Sequence, residues 1–182
     1  MSLQIGTWNV RTMQPGLDNM DIRHGELRKT AVIDKELQNL DLDIVALQET
    51  RIADSGSRRE NNFTFYWKGQ DADQPRHHGV GFAIRNKLIQ SVSTPTGISE
   101  RIMSVSVNTT KGQMNLISAY APTLCASPED KDKFYDALSA VISEMDAKKP
   151  LYILGDFNAR VETTSDPGHA KWTETSRVLY WK

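Results

Sequence analysis

The chain has 182 residues, a length that one domain ordinarily fills, and its 38% apolar and 25% charged residues exclude both a disordered polymer and a fibre. Its 22 Lys and Arg nearly cancel its 23 Asp and Glu, leaving a net charge of −1, so any phosphate binding has to come from local placement rather than from a polycationic surface. Cys125 is the only cysteine, which excludes an intrachain disulfide and a cysteine-based zinc cage.

That cysteine usage favours a reducing compartment, so a nuclear or cytoplasmic location is expected. No apolar run reaches the roughly 18 residues of a membrane span, and Met1-Ser2-Leu3-Gln4-Ile5-Gly6 lacks the basic and apolar blocks of a signal peptide. The expectation is a chain with no membrane attachment whose mature form is the written one.

Leu3 to Trp8 alternates apolar with small or polar residues and runs into Asn9, which predicts a strand ending in a polar loop. From about Glu26 to Leu40 the apolar positions Leu27, Ala31, Val32, Ile33, Leu37 and Leu40 keep near-helical spacing, with charged residues for a wet face. Asp43 to Gln48 is an apolar run of strand length closed by Glu49-Thr50-Arg51. The charged stretch Ile52 to Asn62 reads as a loop, Phe63 to Trp67 as an aromatic strand, and Gln70 to His78 as another loop. Gly79–Ile84, Arg101–Val107 and Met114–Tyr120 read as three consecutive antiparallel strands, the last two joined by a hairpin at Thr109-Thr110-Lys111-Gly112. Ser127-Pro128-Glu129-Asp130 opens a second helix whose apolar face runs through Phe134, Leu138, Val141, Ile142 and Met145, and Leu151–Leu154 is a last strand.

Three of these apolar strands end in polar clusters: Thr7-Trp8-Asn9, Leu47-Gln48-Glu49-Thr50 and Leu154-Gly155-Asp156-Phe157-Asn158. Rigid strand ends bring distant side chains together. Taken singly, each polar residue would do no more than close a strand and begin a turn.

Taken as a set, Gly6-Thr7-Trp8-Asn9-Val10-Arg11, Leu47-Gln48-Glu49-Thr50-Arg51, Gly79-Val80-Gly81-Phe82-Ala83, Ser118-Ala119-Tyr120-Ala121-Pro122 and Gly155-Asp156-Phe157-Asn158-Ala159 resemble, in this order, the successive motifs of the endonuclease/exonuclease/phosphatase family. The resemblance runs from about residue 3 to 161. Within that family the wording is most similar to endonuclease domains of LINE-type retroelements and to craniofacial-development-protein-2-like sequences. It implies an α+β fold, a two-sheet β-sandwich flanked by helices (αββα), and metal-assisted hydrolysis of a phosphodiester in DNA.

The chemistry suits the residue types, because a phosphodiester must be neutralised, attacked by an oriented water and relieved of its leaving oxygen. By the resemblance, Glu49 holds Mg²⁺ (Mn²⁺ as the alternative ion), a hard cation that takes oxygen ligands, and Asn9 supports that shell. Asp156 orients or deprotonates the attacking water, Asn158 donates to the phosphate, and Tyr120 serves a phosphate oxygen or the leaving group. Arg101 would contact the DNA backbone, an ordinary surface strand arginine being an equal account. Arg58-Arg59 and Arg76-His77-His78 fall in predicted loops, where guanidinium groups meet phosphates or solvent. His77-His78 is set aside as a metal pair, since adjacent histidines rarely converge on one ion.

The family pattern continues past Gly-Asp-Phe-Asn into further strands, another aspartate and a late Ser-Asp-His motif, whereas Glu162 to Lys182 is polar and turn-rich until Val178-Leu179-Tyr180-Trp181. Ser165-Asp166-Pro167-Gly168-His169 does not stand in for that motif. The expectation is a family domain over 1–161, truncated at its C-terminus, followed by a divergent tail over 162–182. A monomer is expected, from a parent polypeptide that also carries a reverse transcriptase domain. Such a chain would nick supercoiled DNA weakly or not at all. The competing readings are a non-catalytic remnant that binds nucleic acid or protein and, below it, an inositol-phosphate or lipid phosphatase.

Overall fold

The computed structural model describes residues 3–14 and 28–158, together with the backbone of 178–181. Two five-stranded sheets face each other, each carrying a helix on its outer side. The first contains β1 (Ile5–Asn9), β2 (Ile44–Gln48), β3 (Ser55–Arg59), β4 (Phe63–Lys68) and β5 (Val80–Arg85) in the order β1-β2-β5-β4-β3. The second contains β6 (Thr96–Ser99), β7 (Ile102–Thr109), β8 (Gly112–Tyr120), β9 (Leu151–Asp156) and β10 (Val178–Trp181) in the order β10-β9-β8-β7-β6. A 3₁₀ turn, Asn86–Ser91, leads from one sheet toward the other.

Each sheet has one parallel pair, β1 with β2 and β8 with β9, and parallel neighbours need a crossover connection. Helix α1 (Lys29–Asn39) lies between the first pair and α2 (Pro128–Glu144) between the second. The consequence for the site is direct. Because paired parallel strands end at the same edge, Asn9 lies opposite Gln48 and Tyr120 opposite Asp156.

The apolar patterning explains the layers. Every residue of β2 is buried; Ile44 and Ala46 join the core between the sheets, while Val45 and Leu47 pack with Ile33 and Leu37 of α1. A continuous apolar run is what a strand covered on both faces requires. On β8, Leu116 and Tyr120 point between the sheets, whereas Ile117 and Ala119 pack with Phe134, Leu138 and Val141 of α2. Helix α2 begins as its sequence dictates: the Ser127 side chain accepts the Asp130 N–H at 3.1 Å, and Pro128 fills a position whose missing N–H costs nothing.

The sandwich with outer helices agrees with the expected class. Three local readings need correction. Residues 52–62 are not a plain loop: Ser55–Arg59 forms β3, a largely exposed edge strand paired antiparallel to β4, so Arg58 and Arg59 are strand residues. Backbone pairing at an edge needs no apolar side chains, which is why its polar composition conceals it. The short strand β6 and the 3₁₀ turn were likewise absent from the sequence pattern. Finally, β5, β7 and β8 do not form one antiparallel run, because β5 pairs with β2 and β4 in the first sheet and only β7 and β8 pair with each other.

Residues 15–27, which include the expected helix start at Glu26, and 159–177, with Glu162 and the segment 165–169, lie outside the described residues. Val178–Trp181 pairs antiparallel with β9. Among the described residues no helix is long and apolar enough to cross a membrane, and Cys125 is exposed.

Candidate active site

Three strand ends and two loops build the site. Asn9 closes β1, and its Nδ2 donates to Glu49 Oε1 at 2.6 Å and to Asp156 Oδ2 at 3.5 Å. Its own Oδ1 accepts the Arg11 N–H at 3.1 Å, which fixes the orientation of the amide. One side chain of the first sheet therefore meets a carboxylate from each sheet.

Glu49 follows β2 in a left-handed conformation, φ 55°, which costs a non-glycine residue about 1 kcal/mol or more. That turn is held from both sides, by Val10 N–H to Gln48 O at 3.0 Å and by Thr50 N–H to Gly79 O at 3.1 Å. Gly79 has φ 134°, and a side-chain carbon there would run into Thr50 Oγ1. Glu49 Oε1 also accepts the Tyr120 hydroxyl at 3.3 Å, and Oε2 pairs with Arg51 Nη2 at 2.7 Å. Burial alone would raise its pKa, but the hydrogen bonds from Asn9 and Arg51, the Arg51 charge and the Tyr120 hydroxyl outweigh it and hold the carboxylate below its usual 4.5. Glu49 is therefore ionised at neutral pH.

Tyr120 and Asp156 are register partners at the ends of β8 and β9. Burial, followed by the charge and hydrogen bond of Glu49, pushes the Tyr120 phenol above its ordinary value, so it stays protonated and able to donate. Gly155 places the aspartate, since a side-chain carbon at that position would collide with the Ala119 carbonyl. Beyond it, Asn158 adopts φ 47°, a conformation asparagine tolerates better than most residues. Its N–H donates to Asp156 Oδ1 at 3.1 Å, and its side-chain Nδ2 donates to Ala121 O at 2.8 Å.

Arg101 borders this group. Its Nη1 donates to Tyr120 O at 3.1 Å, its guanidinium carbon lies 5.3 Å from the centre of the Tyr120 ring, and its Nη2 is 3.0 Å from His78 Nε2. It makes no ion pair among the described residues. His78 packs its ring 6.0 Å from that of Tyr120, and burial followed by the nearby Arg101 charge lowers its pKa from 6.5. A neutral imidazole is what this contact demands, because every guanidinium N–H is a donor.

The structure thus brings together Asn9, Glu49, Tyr120, Asp156 and Asn158, and sets Arg101 at their rim. Three neighbours were missed. Gln48 is fully buried, accepting from Thr7 Oγ1 at 3.0 Å and reaching Ser118 Oγ at 3.3 Å across the two sheets. In the sequence Arg51 stands only as part of a motif, and His78 only as one of two adjacent histidines. No motif singles them out: Gln48 and His78 gain their roles from partners distant in the chain, and Arg51 from the turn that folds it back onto Glu49. Among the described residues no cluster of three or more His, Cys, Asp or Glu gathers for a metal. The site offers two carboxylates and an amide.

The pattern of the Endonuclease/Exonuclease/phosphatase family matches residues 6–177. Craniofacial development protein 2 of Bos taurus is 27% identical over 164 residues, covering 90% of this chain and 25% of that protein; the chain spans about a quarter of the length of the curated relatives it matches. Among solved structures, the AP endonuclease LMAP from Leishmania major superposes with a TM-score of 0.58 at 14% identity, covering 85% of this chain and 54% of the other. The endonuclease domain of TRAS1, a telomere-specific non-LTR retrotransposon, gives 0.55 at 15% identity over 87% and 61%. At such identities these two likenesses concern the fold, while the sequence match over most of the chain settles membership: the chain belongs to the Endonuclease/Exonuclease/phosphatase family.

Proposed function

We propose that the chain is a DNA endonuclease domain of retroelement type that hydrolyses phosphodiesters with a divalent metal, Mg²⁺ or alternatively Mn²⁺. The observation that carries this reading is the meeting of Glu49 and Asp156, from different sheets, on the amide of Asn9. Nucleases of this family generally use divalent metal ions. The donor set fits one: oxygen ligands suit a hard cation, and Mg²⁺ is commonly held by only one or two carboxylates together with water and phosphate.

In this reading Glu49 is the principal holder of the metal, and Asn9 supports it by orienting both carboxylates. The bound ion would supply neutralisation of phosphate charge. Asp156 orients the attacking water and takes its proton. Tyr120, held protonated, donates toward a phosphate oxygen or the leaving oxygen, and Asn158 donates to the phosphate. Arg101, which forms no ion pair among the described residues, contacts the DNA backbone. The resemblance of the motifs to LINE-type retroelement endonuclease domains extends the proposal to a parent polypeptide with a reverse transcriptase domain, acting as a monomer in nucleus or cytoplasm.

The test is conversion of supercoiled plasmid to open circle by the purified chain with Mg²⁺ or with a chelator. Activity that survives chelation, or a preference for inositol phosphates over DNA, would overturn the proposal.

A further inference from the structure

Arg51 lies two residues beyond Glu49, and its Nη2 donates to Glu49 Oε2 at 2.7 Å. Three features set this pair apart from an ion pair that merely braces the fold. The other carboxylate oxygen, Oε1, is held by neutral donors, Asn9 and Tyr120, so Arg51 is the only cation paired with Glu49 among the described residues. Arg51 Nε is buried and has no hydrogen-bond partner among the described residues, and an unsatisfied buried donor makes a pose costly. The Arg51 side chain is nevertheless 44% exposed, against 16% for Glu49, so it can turn toward solvent without crossing packed core.

We infer that Arg51 is an exchangeable counter-ion of Glu49, which a divalent cation displaces from Oε2 when it binds. A guanidinium and a metal ion at contact distance on one oxygen repel each other, so the two compete. Arg51 thereby weakens the resting affinity of the site for metal while holding the Glu49 carboxylate in place. This inference rests on the reading of Glu49 as the metal holder.

The test is a titration of the whole chain with Mn²⁺, followed by the electron paramagnetic resonance signal of the free ion at 0.15 M salt. Arg51→Gln and Arg51→Met should each bind Mn²⁺ roughly three- to five-fold more tightly than the parent. Arg11→Gln, which removes an exposed charge on the neighbouring loop, should change affinity by less than roughly 1.5-fold under this screening. Unchanged or weaker binding in both Arg51 variants, or equal tightening in Arg11→Gln, overturns the inference. If Glu49→Gln abolishes Mn²⁺ binding while the Arg51 variants match the parent, the inference fails and the metal reading stands. Absence of Mn²⁺ binding in the parent and both Arg51 variants overturns the two together.

Discussion

Asn9 and Asp156, 147 positions apart, meet at 3.5 Å across the seam between the two sheets. Each ends a strand of a parallel pair, so the two crossover connections deliver them to one edge of the sandwich. The contact depends on backbone topology first and on side-chain chemistry second. Replacing Asn9 with Ala should leave the fold intact and loosen both carboxylates. The expected outcome is about a ten-fold loss of Mn²⁺ affinity, measured by calorimetry, with little change in thermal midpoint.

Glu49 and Asp156 are assigned different work, and their variants should separate accordingly. Glu49→Gln should lose most nicking activity and recover part of it at high Mg²⁺, because its defect is affinity for the ion. Asp156→Asn should not recover, because its defect is the handling of water. Rates over a series of Mg²⁺ concentrations check this. Equal losses with no metal response in either variant would remove the division of labour.

Gly155→Ala tests how Asp156 is placed. The added methyl meets the Ala119 carbonyl of the neighbouring strand, so backbone rather than a flexible side chain has to yield. Urea denaturation should show a loss of about 2 kcal/mol. A variant as stable as the parent would mean that β8 and β9 are more loosely spaced than described.

His78 should give the stability curve a component near neutral pH. Its folded-state pKa lies below 6.5 because of burial and the Arg101 charge. Between the two values the unfolded chain binds a proton that the folded chain refuses, so this contribution is complete above pH 6.5 and is lost as pH falls toward the folded-state value. Glu100 opposes the shift, the His77 charge adds to it and the His77 backbone hydrogen bond opposes it. The urea midpoint of the parent should therefore fall more between pH 7.5 and 5.5 than that of His78→Gln. Parallel curves would show that His78 does not titrate in this window.

Much of this arrangement was legible because apolar periodicity marks buried strands. Ile44 to Leu47 and Phe63 to Phe65 announce themselves by being buried, and the polar residues closing β1, β2 and β9 stand out against such runs. Polar edges carry no comparable signal: Ser55–Arg59 pairs through its backbone alone, and the chain crosses between sheets after β5 without any change in the pattern of its strands. The five central residues could be listed from motif order. Their partners could not, because Gln48 and His78 act through Ser118 and Arg101, which only the fold brings near, and Arg51 reaches Glu49 only through the left-handed turn at Glu49 and Arg51.

The central claim is that Glu49 anchors a metal-dependent phosphodiesterase site, and single-turnover nicking of supercoiled plasmid with the chain in excess tests it most directly. The expected result is slow formation of open circle that requires Mg²⁺, stops on chelation and is at least roughly 100-fold slower in Glu49→Gln. Nicking at equal rates by the parent and Glu49→Gln, or nicking that persists after chelation, would contradict it.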